Sequence, residues 1–508
     1  MDDFFGAMKA QQSQAKTLTE NGAVAYATSG KALLDFNFAI SAFRGANEEK
    51  IENMFSAAFY DNPLTAMKFL FWLRDPREGA GERRIFRVCL KWLQGNRPEV
   101  IKAVLSLVPD FGRWDDLWEL LDTGAKTDVI SLISETIEKD GLAMSQGKPT
   151  TLLKKWLCSE NSSSKITKHF ASIIRTGLEM TPKQYRQMLS AGRKYIDVVE
   201  RKMSSGEWDE ISYEAVPSRA NLIYNSAFLK HDEQRRREYL SSLQKGETKI
   251  NAGVLQPHEI VGKYVDYSRW YLNVNPLNIT LEELWKALPD VTVGNTLVVE
   301  DTSGSMCGGY STTTRPIDVA TALGIYLSEH NDDEWKDKII SFSTHPQLLD
   351  MSNCKTLREK VSYIFSNAEV SDTDVEKTML LILETAIANN YTQAQMPGTV
   401  LILSDCQFNE IAYVKGKKAN ASLFDNISSE YDIHGYKLPK IVFWNLSGQI
   451  NKTIPIQQNE MGLVLMSGFS AQLMNMAMSS ELDPYKALLE TINAPRYDIV
   501  EEALKGIL

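Results

Sequence analysis

Three short segments of the 508-residue chain carry oxygen ligands at spacings that suit a hard cation. The first is DTSGSM, where the Asp301 carboxylate is followed by the Ser303 and Ser305 hydroxyls. Gly304 between the two serines is expected to supply a tight turn through which these short side chains converge. The second is Ser371-Asp372-Thr373-Asp374, which precedes a helical pattern and offers the Thr373 hydroxyl. The third is LILSDCQF, an apolar run ending on Asp405. Carboxylate, hydroxyl and water oxygens are what Mg²⁺ takes, and so small a protein set leaves positions for water. No general base or nucleophile–histidine pair accompanies them: His345 lies beyond a strand pattern with no Cys or Ser partner and reads as a loop histidine. The chemistry expected is cation-mediated binding, and the chain is not expected to be an enzyme.

The elements that must position these residues differ along the chain. After Pro289, β-branched runs alternate with helical patterns. Strands are expected at Thr296–Glu300, Lys338–Phe342, Thr399–Leu403, Lys440–Trp444 and Leu463–Met466, and helices at Pro316–Glu329, Thr356–Phe365 and Val375–Asn389, then after Ser470 and Pro484. Near-continuous apolar strands alternating with helices predict a doubly wound, mostly parallel sheet. Asp301 and Asp405 then fall at carboxyl ends of strands, where open α/β sheets bind ligands.

Before Asp290 the pattern is helical. Leu64–Arg74 places Leu64, Met67, Leu70 and Phe71 on one face, and Arg83–Gln94, Glu99–Ser106, Trp114–Leu121, Lys126–Lys139, Ser163–Leu178, Pro182–Lys202, Ser218–Lys230 and Asp232–Gln244 follow. Breaks fall before Pro63, Pro98 and Pro109, as the restriction on residues preceding proline requires. Helices of this length joined by short turns suggest stacked pairs in an α-solenoid, although no clean repeat is present. The division expected is an N-terminal arm over 1–30, a helical-repeat domain over 31–290 and an α/β domain over 291–508, a multidomain α plus α/β chain.

Charge follows the same division. The net charge of −10 argues at first against nucleic acid, but residues 1–290 carry 39 Lys and Arg against 38 Asp and Glu, and residues 291–508 carry 16 against 27. Within the first part, 151–250 holds 18 basic against 12 acidic residues. Modules of different balance imply different partners, and any nucleic-acid site must be a local patch. The hydrophobic fraction of 43% and charged fraction of 24% exclude a wholly disordered chain. Five cysteines without metal or disulfide spacing fit a reducing compartment. The opening MDDFFGAMKAQQ lacks a basic region followed by an apolar core, and the uncharged run Met461–Ser480 reads as a buried strand, turn and helix. A cytoplasmic protein without membrane association is expected.

The order strand-end DxSxS, later loop Thr and later strand-end Asp resembles the metal-ion-dependent adhesion site (MIDAS) of the von Willebrand factor A (vWA) family. The resemblance implies that Asp301, Ser303, Ser305, Thr373 and Asp405 hold Mg²⁺ or another divalent cation, directly or through water. It also implies a coordination position for a carboxylate donated by a protein partner. A helical part before such a module, with LRDPREGAGERRIFR (Leu73–Arg87) and PDFGRWDDLW (Pro109–Trp118), resembles the Ro (TROVE) ribonucleoproteins. Nearly the whole chain also resembles a prokaryotic, phage and plant family of this layout, through Thr19–Phe36, Leu73–Arg87, Tyr213–Leu240 and DTSGSM.

The Ro resemblance implies HEAT-like helix pairs in a ring closed by the vWA domain. Such rings bind small structured non-coding RNAs on a basic outer surface and thread single-stranded ends of aberrant RNAs; no DNA is implied. That binding needs Lys and Arg for phosphates and planar groups for stacking. Candidates are Arg83, Arg84 and Arg87, near Arg74 and Arg77 with Phe86 between; Lys154, Lys155, Lys165, Lys168, His169 and Arg175; and Arg186 and Arg193, with Tyr185 and Lys194. The alternatives are that Arg83, Arg84 and Arg87 pair with Asp75, Glu78 or Glu82, and that Arg235–Arg237 form a solvated helix face. Trp114 and Trp118 are expected in the core with Asp115 and Asp116 on the outer side. The rival to RNA binding is a protein-interaction adaptor serving an ATPase, phage assembly or a defence system.

Overall fold

The computed structural model describes residues 16–18, 24–266, 273–307, 314–332, 334–342, 346–368, 375–406, 423–446, 463–477 and 483–508. They form helices and a six-stranded mixed sheet, an α plus α/β chain. The chain divides into two compact units, one of residues 1–62 and 255–493, the other of 63–254 and 494–508.

The first unit holds every strand among the described residues. Two short antiparallel ribbons pair β1 (Lys16–Leu18) with β2 (Val24–Tyr26), and β3 (Val265–Asp266) with β4 (Asn273–Val274). The sheet comprises β5 (Thr296–Asp301), β6 (Lys338–Phe342), β7 (Gln347–Asp350), β8 (Thr399–Ser404), β9 (Lys440–Asn445) and β10 (Leu463–Ser467), in the order β10-β9-β8-β5-β6-β7. All neighbours are parallel except β6 and β7. The strands β5 and β8 are buried throughout, which is why they read as unbroken apolar runs. From β5 the chain moves one way to β6 and later the other way to β8, β9 and β10. The two directions part between β5 and β8, which makes a topological switch point at their carboxyl ends. The helix Pro316–Glu329 is buried almost all round, as an apolar helix packed between a sheet and another helix must be.

The antiparallel β7 is an edge strand that the sequence pattern did not signal, because only Leu349 of its four residues is buried. The opposite edge, β10, is covered by the N-terminal helices Ala32–Phe38 and Ile40–Phe43. Asn37 Nδ2 donates to Leu465 O at 3.3 Å, satisfying an acceptor on the edge strand. Ser41 Oγ donates to Asn445 O at 2.8 Å and Asn445 Nδ2 to Phe38 O at 2.7 Å. The unit boundaries therefore do not follow the change of texture near 290. Residues 32–61 are helical in pattern, yet 32–43 cover strands of the sheet and 48–61 pack behind them. In the same way Glu282, ahead of 290, accepts from Leu357 N at 2.8 Å and Arg358 N at 3.2 Å, capping the helix Leu357–Asn367.

The second unit is helical. Pro63–Arg74, Arg83–Asn96, Pro98–Val104, Lys126–Ser145, Lys165–Gly177, Ser218–His231 and Glu233–Gln244 lie where the apolar spacing puts them. Expected as one helix, 182–202 is two, Pro182–Tyr195 and Val199–Ser205, with Asp197 at φ 57° between them. Trp114–Asp122 is a 3-10 helix, whose three residues per turn stack Trp114, Leu117 and Leu120 in one buried column. Arg236 is fully buried, not part of a solvated face: it donates to Asn221 Oδ1 and Asn225 Oδ1 and lies against the rings of Tyr213, Phe228 and Tyr239. Its neighbours Arg235 and Arg237 pair with Asp232 and Glu233. No helix of the described residues is long and apolar enough to cross a membrane.

Residues 494–508 complete this unit. Asp75, wholly buried, accepts from the Arg496 guanidinium, from Tyr497 Oη at 3.4 Å and from Arg77 N at 3.0 Å. Lys68 meets Glu501 at 2.6 Å and Asp498 at 3.5 Å, and the Tyr497 ring stacks on Phe111 at 5.7 Å. Removing one partner leaves a buried carboxylate undercompensated. Arg496→Ala is therefore expected to destabilise the helical unit by about 2–3 kcal/mol, read by urea unfolding, less than the about 3–5 kcal/mol of a fully buried pair because Arg496 is partly exposed.

Candidate metal centre

Asp301 is the last residue of β5 and Asp405 follows the last residue of β8, so the switch point brings the two carboxylates to adjacent strand ends. Both are buried. Burial first, and the charge of Asp405 second, push the Asp301 carboxyl well above the usual carboxylate range. A pair of carboxylates withdrawn from water repel each other, and a cation between them would remove that repulsion. The chain after Asp301 turns through a 3-10 segment, Gly304–Cys307, in which Met306 N donates to Ser303 O at 3.1 Å. This turn sets Ser303 Oγ 3.0 Å from Ser305 Oγ, with Ser303 buried and Ser305 exposed. Gly304 is not among the left-handed glycines and a Cβ there would meet open space, so the expected dependence of the turn on glycine is not met: one 3-10 turn suffices.

Asp301 is held on both oxygens. Oδ1 accepts from Ser303 N at 2.9 Å and Oδ2 from Ser404 Oγ at 2.5 Å. Ser404 was not among the residues singled out from sequence; the signal was the hydroxyl preceding Asp405 in LILSDCQF. Thr373 and His345 lie outside the described residues. Among the described residues no group of three or more His, Cys, Asp or Glu could hold a metal. A cation here would depend on two carboxylates, two hydroxyls and water, a hard-oxygen set of the kind Mg²⁺ accepts.

The basic candidates of the second unit are mostly committed to its own folding. Asp116, buried rather than outward, accepts from Arg74 Nε at 2.8 Å, Arg87 Nε at 2.8 Å, Arg83 Nε at 3.2 Å and Arg113 N at 3.0 Å. Burial works against its charge, but Arg74 and Arg87 outweigh it and hold the carboxyl below its ordinary value. Asp115 pairs with Arg83 and, at 3.2 Å, with Arg113. Arg74, Arg83 and Arg87 thus meet the aspartates of the Arg113-Trp114-Asp115-Asp116 motif. Arg84 is half-buried on the same helix. Burial pushes the Arg113 guanidinium, stacked 4.3 Å over Trp156, down to about 10, so it stays charged at neutral pH.

Lys154 is buried, its stem so close to Gly192 that an added Cβ would lie 2.1 Å from Lys154 Cδ. Arg193 donates to Lys154 O at 3.1 Å and Leu157 O at 2.7 Å. Arg175 and Arg186 share Glu160, at 2.8 and 3.6 Å, and His169 meets Asp122 at 2.7 Å. Phe86 and Tyr185 are core residues, not stacking platforms. Lys165 and Lys168 are exposed and make no ion pair among the described residues, and Lys155 lies 5.8 Å over the Trp156 ring.

The fold and site define a two-part protein: a helical unit, and a switch-point α/β sheet carrying paired carboxylates and hydroxyls. Residues 19–146 and 150–290 match the family model described as Domain of unknown function (DUF2828), and residues 295–494 match Domain of unknown function (DUF7788). The first match spans more than half of the chain, which belongs to the DUF2828 family. "Uncharacterized protein L728" of Acanthamoeba polyphaga mimivirus is 29% identical over 517 residues, covering 94% of this chain and 87% of that protein. The crystal structure of the Deinococcus radiodurans RO (RSR) protein aligns at a TM-score of 0.38 and 14% identity, covering 80% of this chain and 90% of that one.

Glu300, beside Asp301, points the other way along β5 and accepts from Thr321 Oγ1 at 2.5 Å. Burial, and after it the Asp301 charge, push its carboxyl up to about 8 against the hydrogen bond from Thr321. An acid with a raised folded pKa loses stability as pH climbs from its unfolded value to the folded one. Glu300→Gln should therefore melt near wild type at pH 5 and above it at pH 8. Equal melting differences at both pH values would mean Glu300 does not titrate in that range.

Proposed function

We propose that the chain is a non-catalytic binding protein whose sheet unit is a vWA-type module with a MIDAS. Asp301, Ser303, Ser305 and Asp405, with Thr373 as a further ligand, hold Mg²⁺ or another divalent cation. The cation presents an open position to a carboxylate from a protein partner. The observation that carries this reading is the approach of two buried carboxylates and two hydroxyls at the switch point between β5 and β8. Oxygen ligands of this kind favour a hard cation, and at strand ends of an open sheet they face the crevice where ligands bind. Addition of Mg²⁺ to the chelator-treated full chain is expected to raise its melting temperature. Asp301→Ala should remove that rise and the Mg²⁺-dependent co-purification of partner proteins. A wild-type chain whose melting and co-purifying proteins ignore both Mg²⁺ and chelator would sink the reading.

The helical unit is assigned a second role, binding small non-coding or aberrant RNA in the manner of a Ro-like helical scaffold of HEAT-like pairs. The observation favouring it is the exposure of Lys165 and Lys168 without ion-pair partners among the described residues, together with Lys155 beside Trp156. Lysines not neutralised by the fold are the ones able to release counterions from phosphates. Lys155→Glu, Lys165→Glu and Lys168→Glu together are expected to weaken binding to a mixed small-RNA pool by at least about tenfold at low salt. Undiminished binding would remove this face. A purified chain that carries no RNA and shows no salt-dependent RNA binding would leave the adaptor role, in which both units bind proteins.

A further inference from the structure

We propose that Ser404 is the positioning residue of the cation site, aimed by a left-handed turn at Cys406; the inference rests on the cation reading above and names what makes that site competent. Cys406 N donates to Ser404 Oγ at 2.9 Å, and Ser404 Oγ donates to Asp301 Oδ2 at 2.5 Å. The two bonds run in one direction, from the end of β8 to the end of β5. A serine hydroxyl has a single proton, so the Cys406 N–H engages its oxygen and leaves that proton for Asp301. With Oδ1 fixed by Ser303 N at 2.9 Å, the carboxylate plane of Asp301 is set from both sides.

The backbone is shaped for this relay. Cys406 has φ 60°, the left-handed region that residues with a Cβ avoid, and its side chain is buried with Sγ 3.9 Å from Ser404 O. Such a conformation persists only where the surroundings enforce it, and it clusters at functional sites. Here it turns the chain back after Asp405, so that one amide reaches the preceding serine. Without the Ser404 hydroxyl, Asp301 loses the hydrogen bond that ties its Oδ2 to the end of β8 and opposes rotation away from the charge of Asp405. Partners of this kind, behind the ligands, orient metal-binding groups.

The test is Mn²⁺ binding to the full chain, read by the electron paramagnetic resonance of free Mn²⁺. Ser404→Val and Ser404→Thr have the same shape and differ by the hydroxyl, so matched melting and circular dichroism would exclude a folding difference. Ser404→Val is expected to lose about 10- to 100-fold in Mn²⁺ affinity, the range for residues that orient ligands, while Ser404→Thr stays within about threefold of wild type. Cys406→Gly, free to adopt the turn and retaining its N–H, should keep Ser404 in place and match the Ser404→Thr affinity. If Ser404→Val binds Mn²⁺ as Ser404→Thr does while Asp301→Ala does not bind, the positioning role is overturned and the cation site stands. If wild type and Asp301→Ala alike fail to bind, the cation reading falls and this role with it.

Discussion

The sheet unit depends on a buried negative charge that cannot be left uncompensated. Asp301 sits at the end of a strand buried on every residue, with Asp405 at the end of the next strand. Two carboxylates out of water raise each other's proton affinity, and hydrogen-bond donors or a positive charge beside them offset that cost. Around it stand the Ser303 amide on one oxygen, the Ser404 hydroxyl on the other, and the Ser303 and Ser305 hydroxyls alongside. The switch point supplies the place, because only there do neighbouring strands lead their connections to opposite sides and leave a crevice open.

The helical unit handles charge by the opposite route. Two of its buried aspartates, Asp75 and Asp116, are met by arginines from distant parts of the sequence. Arg74, Arg83 and Arg87 converge on Asp116, and Arg496 closes on Asp75. Guanidinium groups suit this work because their planar donors satisfy several acceptors at once. Arginines spent on holding helices together have few donors left for phosphate. The contrast with exposed Lys165 and Lys168 separates scaffold charge from charge available to a ligand.

Much of the architecture was legible from pattern. The strands Thr399–Ser404 and Lys440–Asn445 lie where unbroken apolar runs put them, because a strand buried on both faces has no polar side to show. Helices with caps and prolines in place, such as Pro182–Tyr195 behind Thr181, also start where the pattern puts them. Edge strand β7 was not legible, since three of its four residues are not buried and it shows no apolar run. Nor was the burial of Arg236 and Asp116, because a charged residue amid other charged residues looks solvated until its partners are known.

By itself, the sequence determined the α plus α/β composition and the carboxylate and hydroxyl pattern of Asp301, Ser303, Ser305 and Asp405. These depend on local spacing, and local spacing is what a one-dimensional pattern records. Tertiary structure alone decided which residues share a unit: helices 32–38 and 40–43 cover the β10 edge, and residues 494–508 return to Asp75. It also decided which arginines are structural and that Ser404, a single hydroxyl in an apolar strand, holds Asp301. The reason is physical in each case. A hydrogen bond or ion pair across many residues is fixed by the packing of whole elements, and no property of either residue alone announces its partner.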